Sequence, residues 1–153
     1  MNRRAFLTSA GVSGAVGFAA FSGLSQQASA AEWNDAERAS VRLVTDFCAA
    51  WSARDMNKVL PFLSDDCVYR MTETTAPANG HDGVVQRLKT WVDTASLVEF
   101  RILDTMAAGP IVITHRIDRF LTAQPLTWEG VGVFFVKDGK IKEWSDYTIR
   151  VQR

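Results

Sequence analysis

Apolar residues recur at helical spacing in the first half of the chain and at alternate positions in the second half. Val41, Val44, Phe47, Cys48 and Trp51 fall three and four apart, which gives one stripe of a helix that Asn34 or Asp35 can cap. Asp55 can cap a second, short helix carrying Val59, Leu60, Phe62 and Leu63, kinked at Pro61. Cys67 to Met71 alternates as a short strand, and Thr72 to Gly80 reads as a loop. His81 or Asp82 then opens a third helix with Val84, Val85, Leu88, Trp91 and Val92. Beyond it the period becomes two. Val98–Met106, Ile111–Leu121, Leu126–Val136 and Ile141–Val151 are predicted strands, separated by Gly109-Pro110, Ala123-Gln124-Pro125 and Lys137 to Lys140. Asp138-Gly139 is a strong hairpin signal. Helices followed by an antiparallel meander define an α+β pattern. About three N-terminal helices leading into a long curved sheet is the layout of a cone. Gly130 and Gly132 stand where the sheet must bend or admit a close neighbour.

The alternation also puts charge on an apolar face. One face of Ile111–Leu121 carries Val112, Thr114, Arg116, Asp118 and Phe120; the opposite face carries Ile113, His115, Ile117, Arg119 and Leu121. In the following strands Trp128, Gly130, Gly132 and Phe134 share one face, as do Trp144, Asp146 and Thr148. If the aromatic residues point inward, Arg116, Asp118 and Asp146 are buried with them. Buried charges are costly unless paired. Two carboxylates around one guanidinium should push at least one carboxyl pKa upward, so that one acid donates a proton while the other accepts one. The same pattern also fits a buried ion network that only fixes strand register.

Composition narrows the choices. The 153 residues suit one domain, and 17 basic against 17 acidic residues give no net charge, which argues against a nucleic-acid partner. The chain begins with a charged segment containing Arg3 and Arg4, continues through a soft apolar stretch from Ala10 to Phe21, and reaches Ala28-Ser29-Ala30. That order describes a secretory signal peptide, and the arginine pair followed by Phe6-Leu7 resembles the twin-arginine export motif. We therefore expect residues 1–30 to be an export leader, and residues 31–153 to be a periplasmic or secreted domain with no membrane span after processing. The domain alone has a formal net charge of −2, since Arg3 and Arg4 are lost and no acidic residue is. Cys48 and Cys67 could pair in an oxidising compartment or serve as two buried small apolar residues.

Arg116-Ile117-Asp118, Gly132-Val133-Phe134, Gly139-Lys140-Ile141 and Trp144-Ser145-Asp146-Tyr147 together resemble the limonene-1,2-epoxide hydrolase family, within the NTF2-like or SnoaL-like cone superfamily. The similarity extends upstream through Asp66 to Tyr69 and Gly80-His81-Asp82. The resemblance implies that Asp118 protonates an epoxide oxygen and that Asp146 deprotonates the attacking water. It further implies that Arg116 bridges the two carboxylates and that Tyr69 hydrogen-bonds the water. The family has an asparagine two residues after that tyrosine; this chain has Met71, with Thr72, Thr74 and Asn79 nearby as alternative polar groups. Neither a metal nor an organic cofactor is expected for such a one-step opening. No Gly-x-Ser-x-Gly elbow occurs to suggest a serine nucleophile.

Trp128, Trp144, Phe120 and Phe134 could form the wall of a pocket taking a small apolar molecule or only core, and Met71 is a further candidate for that wall. Trp51 and Trp91, on helical stripes, read as core. His115 falls on the outer sheet face, and His81 reads as an exposed or capping residue. Two other functions fit the same chain: an isomerase, dehydratase or cyclase using the same pocket, and a non-catalytic binding domain. The outer sheet face carries Ile113, Ile117, Leu121, Val131, Val133, Phe135, Tyr147 and Ile149, an apolar surface that leads us to expect a two-fold homodimer.

Overall fold

The computed structural model describes residues 32–152; the expected leader, with Arg3 and Arg4, lies outside the described residues. Helix α1 (Asp35–Ala50) begins at Asn34, whose side chain accepts from Glu37 N–H while the Glu37 carboxylate accepts from Asn34 N–H. This reciprocal box satisfies two backbone donors that the helix itself leaves free. Glu37 uses its other oxygen to hold Gly109 N–H at 2.8 Å, which ties the helix start to a distant strand turn. A single 3₁₀ turn follows (Trp51–Ala53). Asp55 caps the four-residue α2 (Met56–Val59) by accepting from Asn57 N–H, and Pro61 lies in the next 3₁₀ turn (Leu60–Phe62).

The expected short strand is longer and starts earlier: β1 runs Leu63–Arg70, with Leu63 in the strand and Met71 just beyond it. The expected loop from Thr72 to Gly80 contains a two-residue strand, β2 (Ala78–Asn79), paired antiparallel to β1. Helix α3 (Gly80–Thr94) follows Asn79 and begins one residue before His81, the earlier of the two expected starts, and Gly80 adopts φ 66° there. Four long strands follow: β3 (Leu97–Ala108), β4 (Ile111–Leu121), β5 (Leu126–Lys137) and β6 (Lys140–Gln152). Asp138 and Gly139 both have positive φ, 51° and 70°, as the tight β5–β6 turn requires.

The sheet order is β2-β1-β6-β5-β4-β3. Every neighbouring pair is antiparallel except β1 with β6, which makes the sheet mixed. The helices cover one face. There Phe47 of α1 meets Trp51, Phe134 and Trp144 edge-on at 5.0–5.9 Å, and Trp144 stacks on Tyr69 at 4.0 Å. Val44, Phe47, Val84, Val112, Phe134 and Ile141 are fully buried around them. Cys48 and Cys67 are free and buried, and burial pushes the Cys48 thiol up to about 12, so it packs as an inert apolar residue. This is the three-helix, curved-sheet α+β cone read from the sequence.

Candidate active site

The alternation of β4 buries Val112, Thr114, Arg116 and Asp118 and leaves Ile113, His115 and Ile117 on the other side. A fully buried arginine in mid-strand needs room and partners. Room comes from Gly132 on β5, where an added Cβ would lie 1.8 Å from Arg116 Nη1. Gly130 serves the neighbouring indole, since a Cβ there would lie 2.1 Å from the Trp128 ring and 2.4 Å from Tyr147 O. Both glycines are therefore places of close approach. The guanidinium sits among aromatic rings, 5.1 Å from the Trp128 centroid and 5.2 Å from that of Phe100.

Its partners fill the fork. Arg116 Nε donates to both oxygens of Asp118 at 3.0 Å, Nη2 donates to Asp146 Oδ1 at 2.6 Å, and Nη1 donates to Thr114 Oγ1 at 3.3 Å. Asp146 accepts two further bonds, from Trp144 Nε1 at 2.7 Å and from Tyr69 O–H at 3.4 Å. Thr114 was not singled out by the sequence, because an uncharged hydroxyl on a buried face carries no charge anomaly. Trp144, expected as pocket wall or core, also anchors a carboxylate.

The two carboxyls are unequal. Burial raises the Asp118 pKa to about 7; Arg116 opposes the shift and the nearby Asp146 adds to it. Burial also raises that of Asp146, but Arg116, Trp144 and Tyr69 all favour its charged form. With one guanidinium between two acids, the donor sets favour the proton on Asp118, which is bonded by Arg116 alone, and the negative charge on Asp146. Arg116 stays charged: burial favours its neutral form, yet Asp146 and Asp118 outweigh it. Burial, with Asp146 nearby, holds the Tyr69 phenol well above its ordinary value, so it remains a neutral donor.

Both carboxyls border a cavity of about 240 Å³. Of the expected wall, Trp128, Trp144, Phe120 and Met71 line it, together with Tyr69. Phe134 does not. It is fully buried below the cavity, against Phe47 and Trp144, and is core. Conversely Trp91, read as core, is 37% exposed and lines the cavity with Leu88, Phe100, Leu126 and Val151. Of the three polar alternatives near Met71, only Thr72 reaches the cavity; Thr74 and Asn79 are exposed, Asn79 at the start of α3. Trp51 is core as expected, and His115 is on the outer face, paired with Glu129 at 3.2 Å. His81 is half-buried, its Nε2 3.3 Å from Leu63 O. Among the described residues, no group of three or more His, Cys, Asp or Glu is arranged to hold a metal ion, and no helix is long and apolar enough to cross a membrane.

A helix-capped cone with a polar cluster at the base of an apolar pocket defines the class, and the sequence agrees with it. Residues 44–144 match the SnoaL-like domain, and the chain belongs to that family. Among solved structures it is similar to an LEH-like epoxide hydrolase from M. tuberculosis. The two are 27% identical, over 73% of this chain and 84% of that one, with a TM-score of 0.65. It shares its fold with a candidate polyketide cyclase from Xanthomonas campestris (18% identity, 72% and 90% coverage, TM-score 0.63). TerC, co-crystallised with polyporic acid, has the same fold (14% identity, 72% and 91% coverage, TM-score 0.61).

Proposed function

We propose that the protein is an epoxide hydrolase that opens a small apolar epoxide to a diol in one acid- and base-assisted step. The observation that carries this reading is the pair of carboxyls on one guanidinium, Asp118 held by Arg116 alone and Asp146 also by Trp144 and Tyr69, at the edge of an apolar cavity. Asp118 gives its proton to the epoxide oxygen as the C–O bond breaks. Asp146 takes a proton from water as the water oxygen bonds to the ring carbon, and Tyr69 orients that water. The product is a diol, and the proton gained by Asp146 returns to Asp118 to complete the cycle. Ring strain supplies the driving force, and general acid and base each contribute about 10²–10⁴-fold. Similarity to the M. tuberculosis epoxide hydrolase supports the reading.

One feature favours a second reading. Met71 lines the cavity where the resemblance implies an asparagine, and a thioether is a poor water ligand. An isomerase, dehydratase or cyclase, or a domain that only binds an apolar molecule, needs no such water. Incubation with a panel of cyclic and acyclic apolar epoxides decides between them. Diol formation supports hydrolysis; turnover of none, with the same compounds still bound, supports the second reading.

The proposal includes the protein's setting. Residues 1–30 act as a twin-arginine leader, and the domain works outside the cytoplasm as a homodimer through the outer sheet face. Phe135, Tyr147 and Ile149 are 36–59% exposed on that face, beside half-buried Ile113, Val131 and Val133. A monodisperse monomer at micromolar concentration in sedimentation velocity would count against the dimer.

A further inference from the structure

We propose that Thr148 is a specificity-determining residue that donates a hydrogen bond to a second oxygen of the substrate, selecting apolar epoxides that carry a carbonyl or ether oxygen several bonds from the ring. This deepens the hydrolase reading and rests on it.

Thr148 follows Asp146 by two residues on the cavity face of β6, and both border the cavity. Side chains two apart on a strand are separated by roughly 7 Å. The hydroxyl oxygen is held by one side chain. Trp128 Nε1 donates to Thr148 Oγ1 at 3.0 Å, so the oxygen already accepts from the protein. The backbone is held as well. Between Glu129 and Gly130 the β5–β6 register shifts, leaving Ile149 as an extra residue on β6. Beside this bulge, Thr148 N–H donates at 2.7 Å to Glu73 Oε1, from the loop whose neighbour Thr72 also borders the cavity. The bulge also turns Val151, paired with Trp128, toward the cavity.

The hydroxyl proton is what remains. Thr148 is exposed where it borders the cavity beside Trp128, Leu126 and Val151, and among the described residues its proton has no protein acceptor. The other two hydroxyls on the wall are engaged, Thr72 with Thr75 at 2.5 Å and Tyr69 with Asp146 at 3.4 Å. A neutral donor on an otherwise apolar rim can exchange its water for an acceptor placed about 7 Å from the carboxyl chemistry. The Glu73 carboxylate that holds the Thr148 N–H repels an anionic acceptor, so the acceptor is a neutral oxygen.

The test uses the full-length mature protein and two epoxides of equal shape, 6,7-epoxyheptan-2-one and 1,2-epoxy-6-methylheptane. The wild type should prefer the ketone in kcat/KM by roughly two- to tenfold, the range of one neutral hydrogen bond. Thr148→Val should bring the ratio to about one, and Thr148→Ser should keep it. A structural role alone would lower both substrates together and leave the ratio unchanged, which would overturn the proposal, as would a wild-type ratio of one. If neither epoxide is opened, the hydrolase reading fails separately. Titration of tryptophan fluorescence with 2-heptanone and 2-methylheptane then tests the anchor: tighter ketone binding that Thr148→Val abolishes upholds it, and equal binding overturns it.

Discussion

Replacing Asp118 by asparagine separates a catalytic carboxyl from a structural one, because the two roles predict opposite changes in stability. In the unfolded chain an aspartate ionises near pH 4. In the folded protein burial keeps Asp118 protonated to about pH 7. Between these values the native state holds one proton more than the unfolded state, so stability falls as pH rises, by about 1.4 kcal/mol per unit. Between pH 5 and pH 9 only the two units below pH 7 count, and the loss is about 3 kcal/mol. Asparagine keeps the shape and cannot ionise. Relative to wild type, Asp118→Asn should therefore gain about 3 kcal/mol from pH 5 to pH 9 while epoxide opening falls by about 10²–10⁴-fold. Urea unfolding at pH 5, 7 and 9, at one protein concentration, reads the first effect, and initial rates of diol formation the second. Parallel stability curves for the two proteins, or a variant destabilised further at pH 9, would refute the assignment of the proton to Asp118.

Gly132→Ala should fold but lose activity and about 1–3 kcal/mol of stability, since its Cβ would displace the Arg116 guanidinium; thermal unfolding and diol assays check both. Met71→Asn should raise the rate of diol formation if water positioning limits it, and an unchanged rate would show that Tyr69 and Asp146 suffice. Arg3→Lys with Arg4→Lys should retain the precursor in the cytoplasm, because the export receptor reads the arginine pair; cell fractionation reads the result.

Much of this architecture was legible in the sequence because period-two alternation is an unambiguous signal over eleven residues. In β4 it assigned both faces correctly, so the anomaly of Arg116 and Asp118 among Val112 and Phe120 stood out in the alternation itself. The Asp138-Gly139 turn and the Asn34 cap were equally local signals. What was missed lacks such a signal. A two-residue strand such as β2 has no period, and the parallel partnership of β1 with β6 is a long-range choice. Trp91 and Phe134 were interchanged between core and pocket because a stripe or face says which way a side chain points, not how deep it lies. Phe134, paired with Trp144, sits under α1, whereas Trp128, paired with Asp118 on the same face, sits at the open end. The bulge at Ile149 was hidden too, since alternation through Thr148 gives no warning that Val151 rejoins the cavity face.

The central claim is one-step attack by water on an epoxide, and single-turnover hydrolysis in water enriched in oxygen-18 tests it most directly. With enzyme in excess, the account predicts that the diol formed in the first turnover carries one labelled oxygen and that no label enters Asp118 or Asp146. Label in either carboxylate with an unlabelled first-turnover diol would establish a covalent ester and contradict the mechanism. The absence of any diol would contradict the function.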